Sequence, residues 1–352
     1  YTEHAADRAD WGIAGFAVRG AGLAERLAAQ DGLYSLIERG PDTDSVSVVG
    51  SLVEAHAGDD PRLAELLAAP TTAVVTLTIT EAGYRLDDTP PVALTRLVAG
   101  LEARRRAHGG SLAIVCCDNL PANGAATRRA VLGIATALDR SLDGWIDENV
   151  SFVSTSVDRI TPHLPDAELA VLRTASGWDD AAPVVTEPFS DWVLHGDFPA
   201  GRPQWESAGA RFVDDVEPFE RRKLWLLNGA HTILAASGPG RGHQTVAAAF
   251  ADPYCRDLVT GFWGEASRHL TDQSLDIPGY LAQLRDRFAN ARIAHRLSDI
   301  ADQAPAKVRV RLLPVLRAER AAGRDGAATL RSLADAPELL AILTFSAPEG
   351  TP

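Results

Sequence analysis

The sequence predicts an α/β domain followed by an all-helical one, with the boundary near Glu217. Three observations carry that reading. From the amino end to about residue 160, short β-rich runs alternate with helical stretches, the pattern of a parallel sheet wrapped by helices. Pro183 to Val216 is loop-rich and aromatic, reading EPFSDWVLHGDFPAGRPQW and then RFVDDV. From Pro218 onward the pattern is helical, with proline at a suitable first helical position. The domains are therefore expected at 1–217 and 218–352, consistent with a length prior of about two domains for 352 residues.

In chain order, Trp11 to Val18 (WGIAGFAV) reads as a strand and Leu23 to Gln30 as a helix. Ser45 to Val49 is a second short strand. Ala73 to Thr80 (AVVTLTIT) is β-branched and nearly continuous, as a strand buried on both faces should be. Val92 to His108 is helical, Ser111 to Cys117 a strand, Ala122 to Asp139 helical and Ser151 to Thr155 a strand. The later helices are expected at Pro218 to Ala236, Gln244 to Phe250, Arg256 to Leu270, Ile277 to Phe288 and Arg309 to Ala322.

Composition closes several doors. The 34 basic residues against 47 acidic ones leave a net charge of −13, which argues against a general nucleic-acid binder. No apolar run approaches the ~18 residues of a membrane span. The cysteines are Cys116, Cys117 and Cys255, which make neither a disulfide framework nor a metal knuckle, so a cytoplasmic home is expected. No convincing HxxxH or Cys/His set appears, and no metal is expected. Only Lys223 and Lys307 are lysines; every other basic residue is arginine. Arginine serves wherever a solvated charge is wanted but does not release a proton near neutral pH, so the two lysines mark positions to examine. The chain opens on Tyr1 and holds no methionine, so its natural start is expected upstream.

Ligands of open parallel sheets sit beyond the carboxyl ends of the strands. Two such ends here carry polar groups: Thr80-Glu81-Ala82-Gly83-Tyr84, and Asp118-Asn119-Leu120-Pro121 with Asn123-Gly124 following. Ordinary turn chemistry is the alternative for each. Gly20 and Gly22 follow a strand, but the stretch reads GAGLAE without a third glycine, and a plain strand–helix turn is the default.

The strongest local signal is Lys223-Leu-Trp-Leu-Leu-Asn228-Gly-Ala-His231. At 3.6 residues per turn, His231 lies about 80° and Asn228 about 140° around the helix from Lys223. Lys223 and His231 then share one row, and Glu220 lies one turn before the lysine. The alternatives are a solvated face, or a helix that ends at Asn228-Gly229. Gly229 costs about 1 kcal/mol relative to alanine inside a helix, and close approach of a ligand or backbone would explain it. A lysine among apolar neighbours has its charged form disfavoured, which suits a general base. Asparagine amides can donate to a developing alkoxide, and histidine can orient a hydroxyl. Such a set suits removal of an alcohol proton while hydride leaves carbon.

These residues, with TLTITE (Thr76 to Glu81), CDNLPANG (Cys117 to Gly124), VDRITP (Val157 to Pro162), EPFSDWV (Glu187 to Val193), FPAGRPQWE and FVDDVEPFE, resemble the long-chain mannitol dehydrogenase family. That family includes mannitol 2-dehydrogenase and the fructuronate and tagaturonate reductases. The resemblance runs from Tyr1 to about Lys307 and implies a Rossmann-like domain joined to a mostly helical one, metal-independent chemistry, and NAD or NADP as cofactor. It implies that Lys223 is the general acid/base, that Asn119 and Asn228 polarise the reacting oxygen, that His231 binds substrate and that Glu220 aids proton exchange. Thr80, Glu81, Asn119, Val157 and Asp158 are expected on the nicotinamide side. Lys307 falls at a substrate-contacting position.

The departures are informative. The family's first strand and glycine-rich G-x-G-x-F-H-R-A-H stretch should lie before Tyr1. The loop that often bears an acidic residue for the NAD ribose reads Arg19-Gly20-Ala21-Gly22, which adds weight to NADP. Around Lys307 the sequence is DQAPAK, and Asp299 stands where polyol-specific members carry arginine. His295-Arg296 leans toward the uronate branch, with Arg296 available to a carboxylate. The expected activity is interconversion of a sugar alcohol or hexonate with its ketose or ketouronate by a protein that can be a monomer. The rivals are a non-catalytic dinucleotide- or sugar-acid-binding protein on the same fold, and a phosphopolyol dehydrogenase using Arg292, Arg296 and Arg309.

Overall fold

A computed structural model describes residues 10–18, 21–86, 89–162, 166–293 and 295–346. Two compact units emerge. Ser45–Thr186 and Ser190–Val216 form the first together with the stretch ending at Glu38, while Arg39–Asp44, Glu187–Phe189 and the chain from Glu217 onward form the second.

The first unit contains, among the described residues, the strands β1 (Ile13–Ala17), β2 (Tyr34–Arg39), β3 (Asp44–Val49), β4 (Leu52–Ala57), β5 (Val74–Leu77), β6 (Leu112–Cys116), β7 (Val150–Asp158), β8 (Val184–Thr186), β9 (Asp191–His195) and β10 (Arg211–Phe212). They lie in three sheets, β1-β4, β3-β2-β8 and β10-β9-β7-β6-β5. In the largest, β5, β6 and β7 run parallel, with Val74 opposite Ala113 and Leu112 opposite Val150. Strand β9 is antiparallel to β7, pairing Asp191 with Asp158. This is the Rossmann-like, mainly parallel sheet that the alternating pattern implies.

Strand β6 is fully buried. Leu112, Ile114 and Cys116 face a core with Leu94, Leu97 and Leu101 of helix Val92–Arg106 and Val131 and Ile134 of helix Asn123–Leu138. Ala113 and Val115 face the other way, onto Val153, Leu194 and Trp205. Each fully buried Leu or Ile contributes about 1.5–3 kcal/mol.

The expectation that Ala73–Thr80 is the strand buried on both faces is corrected. That run yields β5, whose Leu77 is buried on one face while Thr76, Thr78 and Thr80 are exposed on the other, and which pairs with β6 alone among the described residues. A cleft of about 800 Å³ is lined by Gly12–Val18 on one side and Thr71–Thr80 on the other.

The middle stretch, read as loop, contains β8, β9 and β10. Their lengths of three, five and two residues are too short to show alternation. Its aromatics are anchors: Trp205 packs against Trp192 and Phe198, with ring centroids 4.7 and 5.7 Å away. Strands β2 and β4 and helices Arg62–Ala68 and Arg140–Asn149 were also not legible from the pattern.

The second unit is helical, as expected. Its helices include Val246–Ala251, Pro253–Ser267, Ile277–Ala289, Leu297–Ala301, Ala304–Arg311, Leu313–Ala321, Ala327–Arg331 and Pro337–Ser346. Asp252 caps Pro253–Ser267 by accepting from the Tyr254 N–H, a contact typically worth about 1 kcal/mol. The single helix expected at Arg309–Ala322 is two, broken at Leu312. Pro314 explains the break, since proline lacks an N–H and restricts the residue before it. Buried Glu319 gathers Arg324, Arg268 and His269 around one carboxylate, and hydrogen bonds from these side chains hold its carboxyl well below the usual range against the cost of burial.

Candidate active site

The Lys223-to-His231 segment is a continuous helix, but not a uniform one. Between α-helical Glu217–Arg222 and Ala230–Ser237, residues Lys223–Gly229 wind as a π-helix. Such i→i+5 turns are rare and recur at functional sites. The α-helical angles therefore do not apply: the wider winding swings Asn228 back toward the side of Lys223, and the straight row from Lys223 to His231 is interrupted. Carbonyls of the wide turn are met by side chains. Trp263 Nε1 donates to the Leu226 carbonyl at 2.8 Å. The Asn228 carbonyl accepts from Thr232 Oγ1 at 3.0 Å and Arg311 Nη1 at 3.2 Å.

Gly229 neither ends the helix nor answers a ligand or backbone approach. A Cβ there would lie 2.7 Å from Cε1 of Phe262, so the glycine admits a ring from helix Pro253–Ser267. Lys223 and Asn228 are half-buried, as is Glu220 on the preceding turn.

His231 is buried, with its ring centroid 5.0 Å from Phe288 and 4.7 Å, edge to face, from His295. Burial drives its pKa well below the ordinary value, and the positive fields of His295, Arg287, Arg311 and Lys223 act in the same direction. Its imidazole is therefore neutral. Burial also lowers the His295 pKa, opposed by Asp299. His231 Nε2 and His295 Nδ1 are both buried without a hydrogen-bond partner among the described residues. Lys307, on Ala304–Arg311, donates from Nζ to the Ile300 carbonyl at 2.8 Å, and burial followed by the nearby Arg311 lowers its pKa. Arg296 is exposed at the start of helix Leu297–Ala301.

On the sheet unit, the parallel strands place Thr80 and Glu81, Asn119, and Val157 with Asp158 along one carboxyl-terminal edge. Thr80 has φ 66° and ψ 160°, a region normally left to glycine and costing about 1–3 kcal/mol. Asp118 holds it there: its carboxylate accepts from the N–H groups of Ile79 and Thr80 at 2.8 and 2.9 Å, and from the Tyr84 hydroxyl at 2.7 Å. Burial and the bond to Asp118 raise the Tyr84 pKa, keeping it a donor. Thr80, Glu81 and Asn119 are exposed, Val157 is half-buried and Asp158 buried. Arg19 and Gly20 lie outside the described residues. Among the described residues no three His, Cys, Asp or Glu gather as a metal set, and no helix is long and apolar enough to cross a membrane.

Known proteins give the same answer over both units. The mannitol dehydrogenase Rossmann domain matches residues 1–207 and the mannitol dehydrogenase C-terminal domain residues 215–336. The chain belongs to the mannitol dehydrogenase family. It is 33% identical to the D-mannonate oxidoreductase of Escherichia coli (strain K12), over 90% of this chain and 71% of that protein. It is 34% identical to the mannitol 2-dehydrogenase of Cereibacter sphaeroides, covering 89% and 71%. A substrate-free D-sorbitol dehydrogenase superposes with a TM-score of 0.88 at 32% identity, covering 96% and 75%. Pseudomonas fluorescens mannitol 2-dehydrogenase, in a ternary complex with NAD and D-mannitol, does so at 0.81 and 34%, covering 94% and 73%.

As a mannitol dehydrogenase family member the chain is an oxidoreductase, and its fold adds residues that sequence reasoning passed over. Asp118 was read as a strand-end polar group or a turn residue, without its partners Ile79, Thr80 and Tyr84. Asn123 is 1% exposed: its Nδ2 donates to the carbonyls of Cys116, Asp118 and Thr155, and its Oδ1 accepts from the Thr155 N–H. It thus stitches the ends of β6 and β7 together. Gly124 permits the close approach this requires, since a Cβ would lie 2.8 Å from the Ser154 nitrogen. The signal for both was present in CDNLPANG, but their partners are distant in sequence. His295 was noted only beside Arg296, and Arg311 was not singled out.

Proposed function

We propose that this chain is a metal-independent NAD- or NADP-dependent dehydrogenase that interconverts a sugar alcohol or hexonate with the corresponding ketose or ketouronate. The observation that carries this reading is the π-helical turn, which sets half-buried Lys223 and Asn228 on neighbouring positions next to buried, neutral His231. In oxidation, Lys223 Nζ takes the proton of the secondary hydroxyl. The Asn228 side-chain amide donates to the oxygen as negative charge develops, a duty the family resemblance also gives to Asn119. His231 Nε2, buried and without a protein partner, binds an adjacent hydroxyl. Glu220, on the turn before Lys223, passes the proton toward solvent.

The strand edge fits the nicotinamide end of a dinucleotide. Its backbone at Thr80 is held in an unusual conformation by Asp118, with exposed groups of Thr80, Glu81 and Asn119 beside Val157 and Asp158. When bound, the dinucleotide supplies the hydride acceptor in oxidation and the donor in reduction. The test is to mix the protein with fructose, fructuronate or tagaturonate and follow oxidation of NADH and NADPH. Turnover of at least one ketose or ketouronate is expected, and no turnover with either cofactor would refute the reading.

A further inference from the structure

Among the described residues, several arginines of both units are neutralised or saturated. In the helical unit, the Nε and Nη2 of Arg287 lie 2.9 and 2.8 Å from the two oxygens of Glu187, and Arg268 and Arg324 share Glu319. In the sheet unit Arg104 has no carboxylate, yet its Nε, Nη1 and Nη2 donate to the carbonyls of Gly110, Leu67, Ala69 and Ser111. Arg311 does neither. Among the described residues only its Nη1 is engaged, to the Asn228 carbonyl at 3.2 Å and Thr232 Oγ1 at 3.1 Å, both neutral oxygens. Its Nε is buried with no partner. The Nε/Nη2 edge, the fork whose parallel N–H groups match a carboxylate, is left open.

We propose that Arg311 is a specificity-determining residue that receives a carboxylate of the substrate, so that the protein selects hexonates and ketouronates over neutral polyols and ketoses. This rests on the dehydrogenase reading above. The surroundings agree in charge and chemistry. Lys307 lies one helical turn before Arg311 on Ala304–Arg311, and Lys223 and Arg311 both act on His231 as positive charges. Burial depresses the Arg311 pKa to about 10, a desolvation cost that an arriving anion offsets. His231 and His295, with rings 4.7 Å apart and each with a buried, unpartnered nitrogen, offer neutral polar atoms suited to hydroxyls. A cation for one end and neutral imidazoles for the chain describe a receptor for a polyhydroxy acid. Arg296, the carboxylate partner suggested by sequence, is exposed.

The simpler role for Arg311 is bracing the Asn228 carbonyl, and the experiment separates the two. The full chain and its Arg311→Gln variant are assayed with fructuronate and with fructose, using whichever cofactor is oxidised. Glutamine can still donate to the Asn228 carbonyl but carries no charge. For the wild type, kcat/KM should favour fructuronate. In the variant it should fall roughly 10- to 100-fold for fructuronate, mainly through KM, and change less than about threefold for fructose. Mannonate should raise the melting temperature of the wild type more than mannitol does, and the variant should lose that difference. If the glutamine variant does not fold, Arg311→Lys keeps the charge without the fork and is read by the same substrate ratio. Equal losses on both substrates, or a wild type that prefers fructose, overturn the proposal while leaving the dehydrogenase reading standing. Failure to turn over fructose, fructuronate and tagaturonate with either cofactor removes both.

Discussion

At the strand ends of the sheet unit, Asn123 uses both side-chain polar atoms on the backbone of β6 and β7, and Asp118 spends its carboxylate on Ile79, Thr80 and Tyr84. In the helical unit, His231 Nε2, His295 Nδ1 and Arg311 Nε are buried with no partner among the described residues. Polar groups are costly to bury unsatisfied, so the two networks differ in what completes them. The first is closed by the protein itself and fixes the shape of an edge. The second is left open, and a ligand with hydroxyl and anionic groups would close it.

Substitutions should therefore separate stability from catalysis. The largest effect is expected at Lys223: Lys223→Ala should lower turnover about 10²–10⁴-fold at neutral pH while leaving the thermal transition nearly unchanged. Near-normal turnover would break the assignment. Asn123→Ala should do the reverse, removing about 2–3 kcal/mol of stability and several degrees of melting temperature before any specific loss of chemistry. A variant as stable as the wild type would show that the strand-end network is not what fixes this edge.

The open network should also be visible in acid. His231 stays neutral in the folded chain, so below its ordinary pKa near 6.5 the unfolded chain binds a proton that the folded one refuses. Stability should be complete above that value and fall as pH drops through it, with His295 acting in the same sense. His231→Gln should flatten the denaturant-measured slope between roughly pH 6.5 and 4.5, above the range where carboxylates titrate. The smallest effect is expected at Glu81, whose ion pair with Arg85 is exposed on both sides. Glu81→Ala should cost about 0.3–0.5 kcal/mol at most, so a change in cofactor KM there can be read free of unfolding.

The comparison with the sequence reading divides along the same line. The order of an α/β part and a helical part was legible because apolar periodicity is a local property, and most expected elements appear within a few residues of their predicted ends. The polar set of Lys223, Asn228 and His231 was legible because it lies within one short segment. Its geometry was not, since a 3.6-residue period was assumed where packing against Trp263 and Phe262 accompanies a wider turn. Burial of Ala73–Thr80 was misjudged for a related reason: composition shows that a run is β-branched, but only packing shows that the face of Thr76, Thr78 and Thr80 is exposed.

The sequence by itself determined the family, because the motifs from TLTITE to the Lys223–His231 segment stand in family order. Only the tertiary structure decided which distant residues join them. His295 and Arg311 reach His231 and the Asn228 carbonyl from elements dozens of residues away. Such partners are chosen by the packing of whole helices, which leaves no period or spacing in the chain to read.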